Sequence, residues 1–267
     1  FSIKAVILIG VYLLLYSCGK PVNDTTYSPK FSKLPSQSQN SQKTYIFGIL
    51  PTANTKRTHK IFSPIMNYLS TNIKGAHFKV ETSRIYSQFD EKMATRKFHL
   101  IFSNPYQTTL GIDKGYHVFA KMAGDEDFKG IIVVRKDSSI REVKDLKGHT
   151  LSFPAPTALA GTMLPLYYLQ THGLDVKKDI KIKFVGSQES SIMNVYLGNT
   201  KAGGSWPLAW RAYVAEKPEL LRDLKVIWQT QNLPNAGLLA RDDMPADILQ
   251  QVRTLMLNLH LTEKGRQ

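Results

Sequence analysis

The sequence contains a single cysteine, Cys18, among its 267 residues. One cysteine excludes an internal disulfide and a zinc site built from cysteine ligands. Acidic residues are also scarce: 21 Asp and Glu stand against 35 Lys and Arg, which gives a formal charge of +14. Such a charge favours anionic partners, but the basic residues form no stripe with interleaved aromatics, as nucleic-acid binders show. We therefore expect no nucleic-acid partner.

The usual catalytic and nucleotide-binding signatures are missing as well. The sequence has no Gly-x-Ser-x-Gly, no His-Glu-x-x-His, no Walker motif and no Gly-x-Gly-x-x-Gly. Its seven histidines are isolated, and none has another possible ligand four residues away in an obvious metal pattern. We predict a protein that is not an enzyme and that binds neither a metal nor a cofactor; an enzyme built in a cleft is the weaker alternative.

An uncharged apolar run follows Lys4 and ends at Leu15-Tyr16-Ser17-Cys18. It is shorter than the roughly 20 residues of a membrane span. Its end resembles the lipobox of bacterial lipoproteins, in which a Leu stands three residues before a cysteine that becomes lipidated. We expect a lipoprotein-type signal at 1–18, then a flexible tether rich in Pro, Ser, Gln and Asn at 19–43. A signal anchor stays open as the alternative, because the chain opens with Phe1 rather than Met.

From Tyr45 onward, short apolar runs alternate with segments of helical periodicity. The predicted strands are 45–50, 78–80, 98–102, 118–122, 130–134, 151–153, 180–185, 202–205, 224–228 and 237–240. The predicted helices are 61–69, 86–94, 105–112, 161–171, 189–197, 207–215 and 245–259. This alternation is typical of parallel α/β sheets, which bind ligands at the carboxyl ends of their strands.

The stretch 151–165 combines a short strand, a Pro/Thr turn and Gly161 at the start of a predicted helix. The first N–H groups of a helix have no intrahelical acceptor, and the positive end of the helix dipole lies behind them. Such a turn can hold an anion. The alternative is an ordinary strand–helix turn that binds nothing.

Residues 44–267 resemble the phosphate-, phosphonate- and phosphite-type substrate-binding proteins of ABC transporters. The similarity lies in the order and spacing of several segments: 45–51, Tyr86, 100–106, 130–136, 145–148, 153–165, 186–198 and 257–266. The resemblance implies an α/β, two-lobed periplasmic-binding-protein fold (type 2-like), each lobe a mostly parallel sheet flanked by helices. It places one lobe at 44–128 plus 230–267, the other at 129–229, and a ligand cleft between them.

The resemblance also implies which residues bind the ligand. The matching positions are Tyr86, Ser103, Asn104, Thr157, Gly161, Thr162, Gln188 and Trp206. Some have structural alternatives: Tyr86 and Trp206 as core aromatics, and the Ser103–Asn104 pair as a helix cap. The chain departs from the family where Ala158-Leu159-Ala160 replaces three hydroxyl residues of the phosphate seat. Loss of neutral donors predicts weaker phosphonate binding, or a less polar ligand held by backbone N–H groups.

The function that follows from the resemblance is capture of a small phosphonate- or phosphite-like anion, or a related polar metabolite, for an ABC importer. The expected partners are an ABC permease and, through a lipid at Cys18, a membrane in the cell envelope. The expected location is periplasmic or extracytoplasmic. A ligand-sensing domain of a membrane receptor is the alternative from another class, since such receptors use the same two-lobed fold.

Overall fold

The computed structural model describes residues 42–266, and these form ten strands and nine α-helices. The strands are β1 (Lys43–Ile49), β2 (Ala76–Glu81), β3 (Leu100–Ser103), β4 (Tyr116–Lys121), β5 (Lys129–Arg135), β6 (Thr150–Phe153), β7 (Lys181–Phe184), β8 (Ala202–Ser205), β9 (Leu224–Asn232) and β10 (Gly237–Arg241). The helices are α1 (Thr55–Asn72), α2 (Tyr86–Ala94), α3 (Pro105–Ile112), α4 (Leu164–Thr171), α5 (Gln188–Tyr196), α6 (Pro207–Glu216), α7 (Leu220–Asp223), α8 (Ala246–Leu257) and α9 (Glu263–Arg266).

The predicted signal sequence, the lipidation of Cys18 and all but the end of the predicted tether lie outside the described residues. β1 begins at Lys43, one residue before the predicted start of the first lobe. None of the helices in the described part combines the length and apolar character that crossing a bilayer requires.

The first sheet has the strand order β2-β1-β3-β10-β4. β1 pairs in parallel with β2 and β3, whereas β10 pairs antiparallel with β3 and β4. Four of its strands therefore run in one direction. Phe47 of β1 and Leu100 of β3 are fully buried, and Leu69 of α1 packs into the same core. Helices cover this sheet, which accounts for strands that are apolar without strict alternation.

The second sheet repeats this arrangement with the order β7-β6-β8-β5-β9. β6 pairs in parallel with β7 and β8, and β5 pairs antiparallel with β8 and β9. Two apolar clusters flank it, one centred on Leu151 and Leu169 and the other on Val133 and Val195. The predicted fold class is confirmed: two mixed, mostly parallel sheets flanked by helices.

Two segments join the sheets, one between β4 and β5 and one between β9 and β10. They are bonded to each other, because the Asn235 amide donates to the carbonyls of Ala123 (2.9 Å) and Gly124 (3.0 Å), and Leu233 N–H donates to Phe128 O. The two crossings therefore form one connected strip beneath the cleft. The exact residues at which each lobe begins and ends stay a prediction.

All ten predicted strands are present, most within two residues of their predicted ends. Helices α2 and α3 have the predicted bounds, and α3 begins with Asn104 as a cap and Pro105 in its first turn, as such sequences favour. The start of the helix predicted at Gly161 differs. The segment Leu159–Met163 is a π-helical turn that continues directly into α4.

Candidate ligand-binding site

A small cavity lies between the two sheets, where the carboxyl ends of β1 and β3 face those of β6 and β8. Its volume is about 20 Å³, which accommodates about one water molecule. Its walls come from both sheets and both crossings: Leu50, Thr52, Tyr86, Phe102, Asn104, Phe128, Ala158, Leu159, Ala160, Gln188, Trp206 and Ala236. The carboxyl ends of the strands are where open α/β sheets bind ligands.

Among residues 42–266, no charged side chain lines this cavity. Most of its wall is apolar, and the lining residues with a polar group in the side chain are Thr52, Tyr86, Asn104, Gln188 and Trp206. An anion bound here would be held by neutral donors, which form strong hydrogen bonds to a charged acceptor when water is excluded.

The π-helical turn Leu159–Met163 forms one wall of the cavity. The carbonyl of Ala158 accepts from both Thr162 N (2.7 Å) and Met163 N (3.2 Å). Within residues 42–266, the N–H groups of Leu159, Ala160 and Gly161 have no hydrogen-bond acceptor, as expected where a helical segment begins. π-turns occur frequently at functional sites. Backbone donors thus remain where the family's hydroxyl side chains are missing.

The side chain of Gln188 lies against Gly161. A Cβ at position 161 would stand 2.5 Å from both the Nε2 and the Oε1 atoms of Gln188. Gln188 is 2% exposed, and its Oε1 has no hydrogen-bond partner among the described residues. The close approach of Gly161 therefore lets this amide reach the cavity wall.

Tyr86 lies at the start of α2 and is 2% exposed. Burial raises the pKa of its hydroxyl well above the ordinary value; a hydrogen bond from Gln188 opposes that shift, and the charge of Asp90 adds to it. Tyr86 is therefore a neutral donor throughout the physiological range.

Trp206 lies immediately before α6 and is 9% exposed. Its ring meets Phe128 edge-on, with 5.9 Å between centroids. The indole Nε1 has no acceptor among the described residues. An indole can only donate, so this buried N–H is suited to an incoming acceptor.

Asn104 lines the cavity and also caps α3, where its Oδ1 accepts from Gln107 N at 3.0 Å. The predicted cap and the predicted wall position are compatible, since the Nδ2 is the group left for other contacts. Ser103 is fully buried, and its hydroxyl bonds Thr108 Oγ1 at 3.0 Å. Ser103 is not among the lining residues, and its role as a ligand donor stays a prediction.

Thr157 links the loop after β6 to the first sheet. Its carbonyl accepts from Gln107 Nε2 (3.2 Å) and from Asn104 Nδ2 (3.5 Å), and its hydroxyl donates to Asp90 Oδ2 (3.4 Å). Burial raises the pKa of Asp90, although hydrogen bonds from Gln107 and Thr157 oppose the shift. Thr157 thus contacts the opposite lobe rather than lining the cavity.

Thr162 is 1% exposed, and its Oγ1 has no hydrogen-bond partner among the described residues. Neither Thr162 nor Gly161 lines the cavity, although both belong to the turn that does. Four predicted residues, Tyr86, Asn104, Gln188 and Trp206, thus meet at the cavity. The other four lie behind its wall or across the lobe contact, and their ligand roles remain predictions.

Sequence reasoning missed the apolar part of the wall. Phe128 and Ala236 come from the two crossings, and Leu50 and Phe102 from the ends of β1 and β3. Their residue types are those of ordinary core positions, so no sequence signal distinguishes them. For Thr52, the only signal in the sequence is that a polar residue follows a predicted strand.

A second contact between the lobes lies beside the cavity. Arg57 of α1 pairs with Glu189 of α5 at 2.9 Å and with Glu216 of α6 at 3.0 Å. The side chains of Arg57 and Glu189 are 17% and 16% exposed. Arg57 also donates to the carbonyl of Ala212 at 3.1 Å. These bonds hold the two lobes together without touching the cavity.

Comparison with known proteins identifies relatives of this site and fold. The family model described as "ABC transporter, phosphonate, periplasmic substrate-binding protein" matches residues 47–267. A probable ABC transporter phosphite binding protein, PhnD1 of Prochlorococcus marinus strain MIT 9301, is 26% identical over 160 residues, covering 55% of this chain and 54% of the relative. The chain thus aligns with about half of the length of this relative.

The phosphonates-binding periplasmic protein of Escherichia coli K12 is 19% identical over 240 residues, covering 87% of this chain and 71% of the relative. Among solved structures, PhnD1 from Prochlorococcus marinus in complex with methylphosphonate superposes with a TM-score of 0.76 at 21% identity. That alignment covers 84% of this chain and 88% of the other. At this identity the superposition establishes a shared fold.

Proposed function

This chain belongs to the family of periplasmic substrate-binding proteins of phosphonate ABC transporters, and we propose that its cleft captures a small phosphonate- or phosphite-like anion for import. The observation that supports this most is the cavity between the lobes, whose wall includes residues with unpaired donors, the indole N–H of Trp206 and the backbone N–H groups of Leu159 and Ala160, and, among residues 42–266, no charged side chain. Neutral donors suit an oxyanion that must be released again after capture, since they add no ion pair that would have to be broken.

The ligand is proposed to sit against the π-helical turn. The free N–H groups of Leu159, Ala160 and Gly161 and the Trp206 indole N–H would donate to its oxygens. The apolar walls formed by Phe102 and Leu159 favour a ligand with a hydrogen or a small alkyl group on phosphorus over one with four oxygens. Phosphite and methylphosphonate are therefore the preferred candidates, and phosphate binds more weakly.

A cavity of about 20 Å³ is smaller than either candidate. The lobes must therefore move apart to admit the ligand and settle around it afterwards. Opening and closing about two crossing strands is a common movement of two-lobed binding proteins. The bonded strip around Asn235 is the proposed hinge, since both crossings meet there.

The proposed partners are an ABC permease, which would receive the ligand, and a membrane reached through a lipid on Cys18. The lipid anchor rests on the sequence Leu15-Tyr16-Ser17-Cys18 alone. Its test is incorporation of a labelled fatty acid in a bacterial host, which Cys18→Ser should abolish. A sensor histidine kinase is also among the relatives of this chain, 25% identical over 167 residues. The family model that matches residues 47–267 describes a transporter component, and the receptor-domain alternative is therefore the less well supported.

Isothermal titration of the full chain tests the proposed ligand. We expect saturable one-to-one binding of phosphite and methylphosphonate, and affinities for phosphate and methylsulfonate at least tenfold weaker. Asn104→Leu, which removes a polar group from the cavity wall, should weaken the preferred ligands by about tenfold or more. Absence of binding for every phosphorus oxyanion would contradict the proposal, and a polar uncharged metabolite would then be sought.

A further inference from the structure

A carboxyl group lies at the contact between the two lobes, beside the main cavity. Asp90 of α2 accepts a hydrogen bond from the hydroxyl of Thr157 (3.4 Å) in the other lobe and one from Gln107 Nε2 (3.4 Å) in its own. Gln107 Nε2 also donates to the carbonyl of Thr157 at 3.2 Å. Gln107 is fully buried and Asp90 is half-buried. The three residues therefore form one hydrogen-bonded network across the lobe contact.

Two connections bring Asp90 close to the main cavity. Tyr86, which lines the cavity, precedes it by four residues on α2, and side chains at this spacing lie on one helix face with about 5 to 6 Å between their Cβ atoms. Thr157, which it bonds, is followed directly by Ala158 and Leu159 of the cavity wall. An anion in the cavity therefore lies within range of the Asp90 charge, although Asp90 itself does not line the cavity.

The carboxylate charge of Asp90 has no cation to compensate it. Within residues 42–266, Asp90 forms no ion pair. α3 and the segment 154–163 contain no Asp, Glu, Lys, Arg or His. The other titratable residues on the helices around Asp90 are tyrosines, one exposed glutamate and two residues that are already in ion pairs: Tyr86, Glu91 and Lys92 on α2, Tyr106 on α3, and Glu189 and Tyr196 on α5.

The hydrogen bonds across the lobe contact can form whether Asp90 is ionised or protonated. The Gln107 amide faces two oxygen atoms, so its Nε2 donates in both cases. A threonine hydroxyl can donate to a carboxylate and accept from a carboxylic acid. Burial raises the pKa of Asp90, although hydrogen bonds from Gln107 and Thr157 oppose the shift. The carboxyl group can therefore lose its charge and keep its bond to the second lobe.

From this geometry we infer that Asp90 links ligand capture to proton uptake: an oxyanion in the main cavity is held more strongly when Asp90 is protonated, and its binding draws up to one proton from the solvent onto this carboxyl group. The inference rests on the proposed binding of an anion in that cavity. Its physical cause is the repulsion between two negative charges where little water separates them. The effect is reciprocal, so a bound anion in turn favours the protonated form of Asp90.

Affinity for the anion should therefore fall as the pH rises. Below the pKa of the ligand-free carboxyl group, Asp90 is protonated with and without ligand, and affinity is highest. Affinity falls as the pH passes through that pKa and levels off above the higher pKa of the anion-bound state. An amide in the same place should remove this dependence, because it is neutral, accepts from Gln107 and supplies a donor for the Thr157 hydroxyl.

Isothermal titration of the full chain and of Asp90→Asn with methylphosphonate, from about pH 4.5 to about pH 8, tests the inference. The ratio of the two affinities at each pH cancels the ionisation of the ligand itself. We expect a ratio near one at the acidic end, and binding roughly five- to tenfold tighter in Asp90→Asn at the other end. Glu91→Gln is the matched control, because it removes the same charge from an exposed position on the same helix and should not change the affinity.

A second readout needs no variant. The carboxyl carbon resonance of Asp90 should titrate at a higher pH with methylphosphonate bound than without it. A purely structural role of Asp90 would instead lower the affinity and the melting temperature of Asp90→Asn at every pH. That result, a ratio independent of pH, or an unchanged titration midpoint would overturn the inference and leave the proposed ligand in place. Absence of binding by every phosphorus oxyanion at every pH would overturn both.

Discussion

At the scale of single residues, the site is defined by polar atoms that lack partners. Trp206 Nε1, Gln188 Oε1 and Thr162 Oγ1 are all buried without a hydrogen bond among the described residues. Native proteins leave few such atoms, because each costs free energy. Two of them, on Trp206 and Gln188, belong to residues of the cavity wall, which supports the proposal that these residues contact a ligand.

Replacing Trp206 with Phe should lower methylphosphonate affinity about tenfold, because the indole N–H is lost while an aromatic wall remains. Isothermal titration measures the loss. Trp210→Phe is the matched control, since Trp210 lies in the first turns of α6, the helix that Trp206 precedes, but does not line the main cavity. Equal losses in both variants would argue against an indole donor at the ligand.

Thr162 of the π-helical turn and Thr157 of the loop before it should respond differently to replacement by valine. Thr162→Val removes an unpartnered hydroxyl and should leave the melting temperature unchanged or slightly raised. Thr157→Val removes a bond to Asp90 between the lobes and should lower it. Thermal unfolding checks both. A loss of ligand affinity in Thr162→Val without loss of stability would identify Thr162 as a ligand donor.

At the scale of secondary-structure elements, the sequence predicted strands and helices well and their mutual contacts poorly. Strands such as β5 and β10 are apolar runs between turn residues, and helices such as α3 carry their own cap and proline. These signals are local. The π-helical turn has no comparable signature, because Ala158-Leu159-Ala160-Gly161 is compatible with an ordinary helix start.

The sequence predicted those residues of the candidate site that directly follow a strand or begin a helix. Tyr86, Asn104 and Trp206 occupy such junctions, and they do line the cavity. The bond between Arg57 and Glu189 joins residues 132 positions apart, and nothing local to either one predicts it. Contacts between lobes depend on how whole elements pack together. The partner in such a contact therefore cannot be predicted from the residues around either side chain.

The ion pair between α1 and α5 should control closure. Arg57→Gln removes the bonds to Glu189 and to the Ala212 carbonyl, so the closed arrangement loses stability relative to an open one. We expect methylphosphonate affinity to fall by roughly three- to tenfold, mainly through faster dissociation. Stopped-flow fluorescence of the tryptophans measures that rate. Arg135→Gln is the control, because Arg135 pairs with Asp137 within one lobe; an equal effect there would exclude a role in closure.

At the scale of the whole molecule, we expect the formal charge of +14 to raise the association rate of an anionic ligand. It should contribute little to affinity, since among residues 42–266 no charged side chain lines the cavity. Positive charge spread over the surface attracts anions before contact. We therefore expect binding strength and association rate to have separate structural origins in this protein.

The association rate of a phosphonate dianion should therefore fall several-fold when ionic strength rises from 0.01 to 0.15 M, as the Debye length shortens from about 30 to about 8 Å. The dissociation rate should change little, since no charged side chain among the described residues lines the cavity. Stopped-flow measurements at several salt concentrations separate the two rates. A salt effect confined to dissociation would contradict electrostatic steering.

Because Gly161 closely contacts the Gln188 amide, a substitution at position 161 can change the ligand preference. The missing methyl group at position 161 determines how far the amide extends toward the cavity, since a Cβ there would meet it at 2.5 Å. Alanine at this position would push the amide aside and alter the size and polarity of the cavity together. A glycine codon becomes an alanine codon by one base change, so this family member is a single mutational step from a differently shaped binding site.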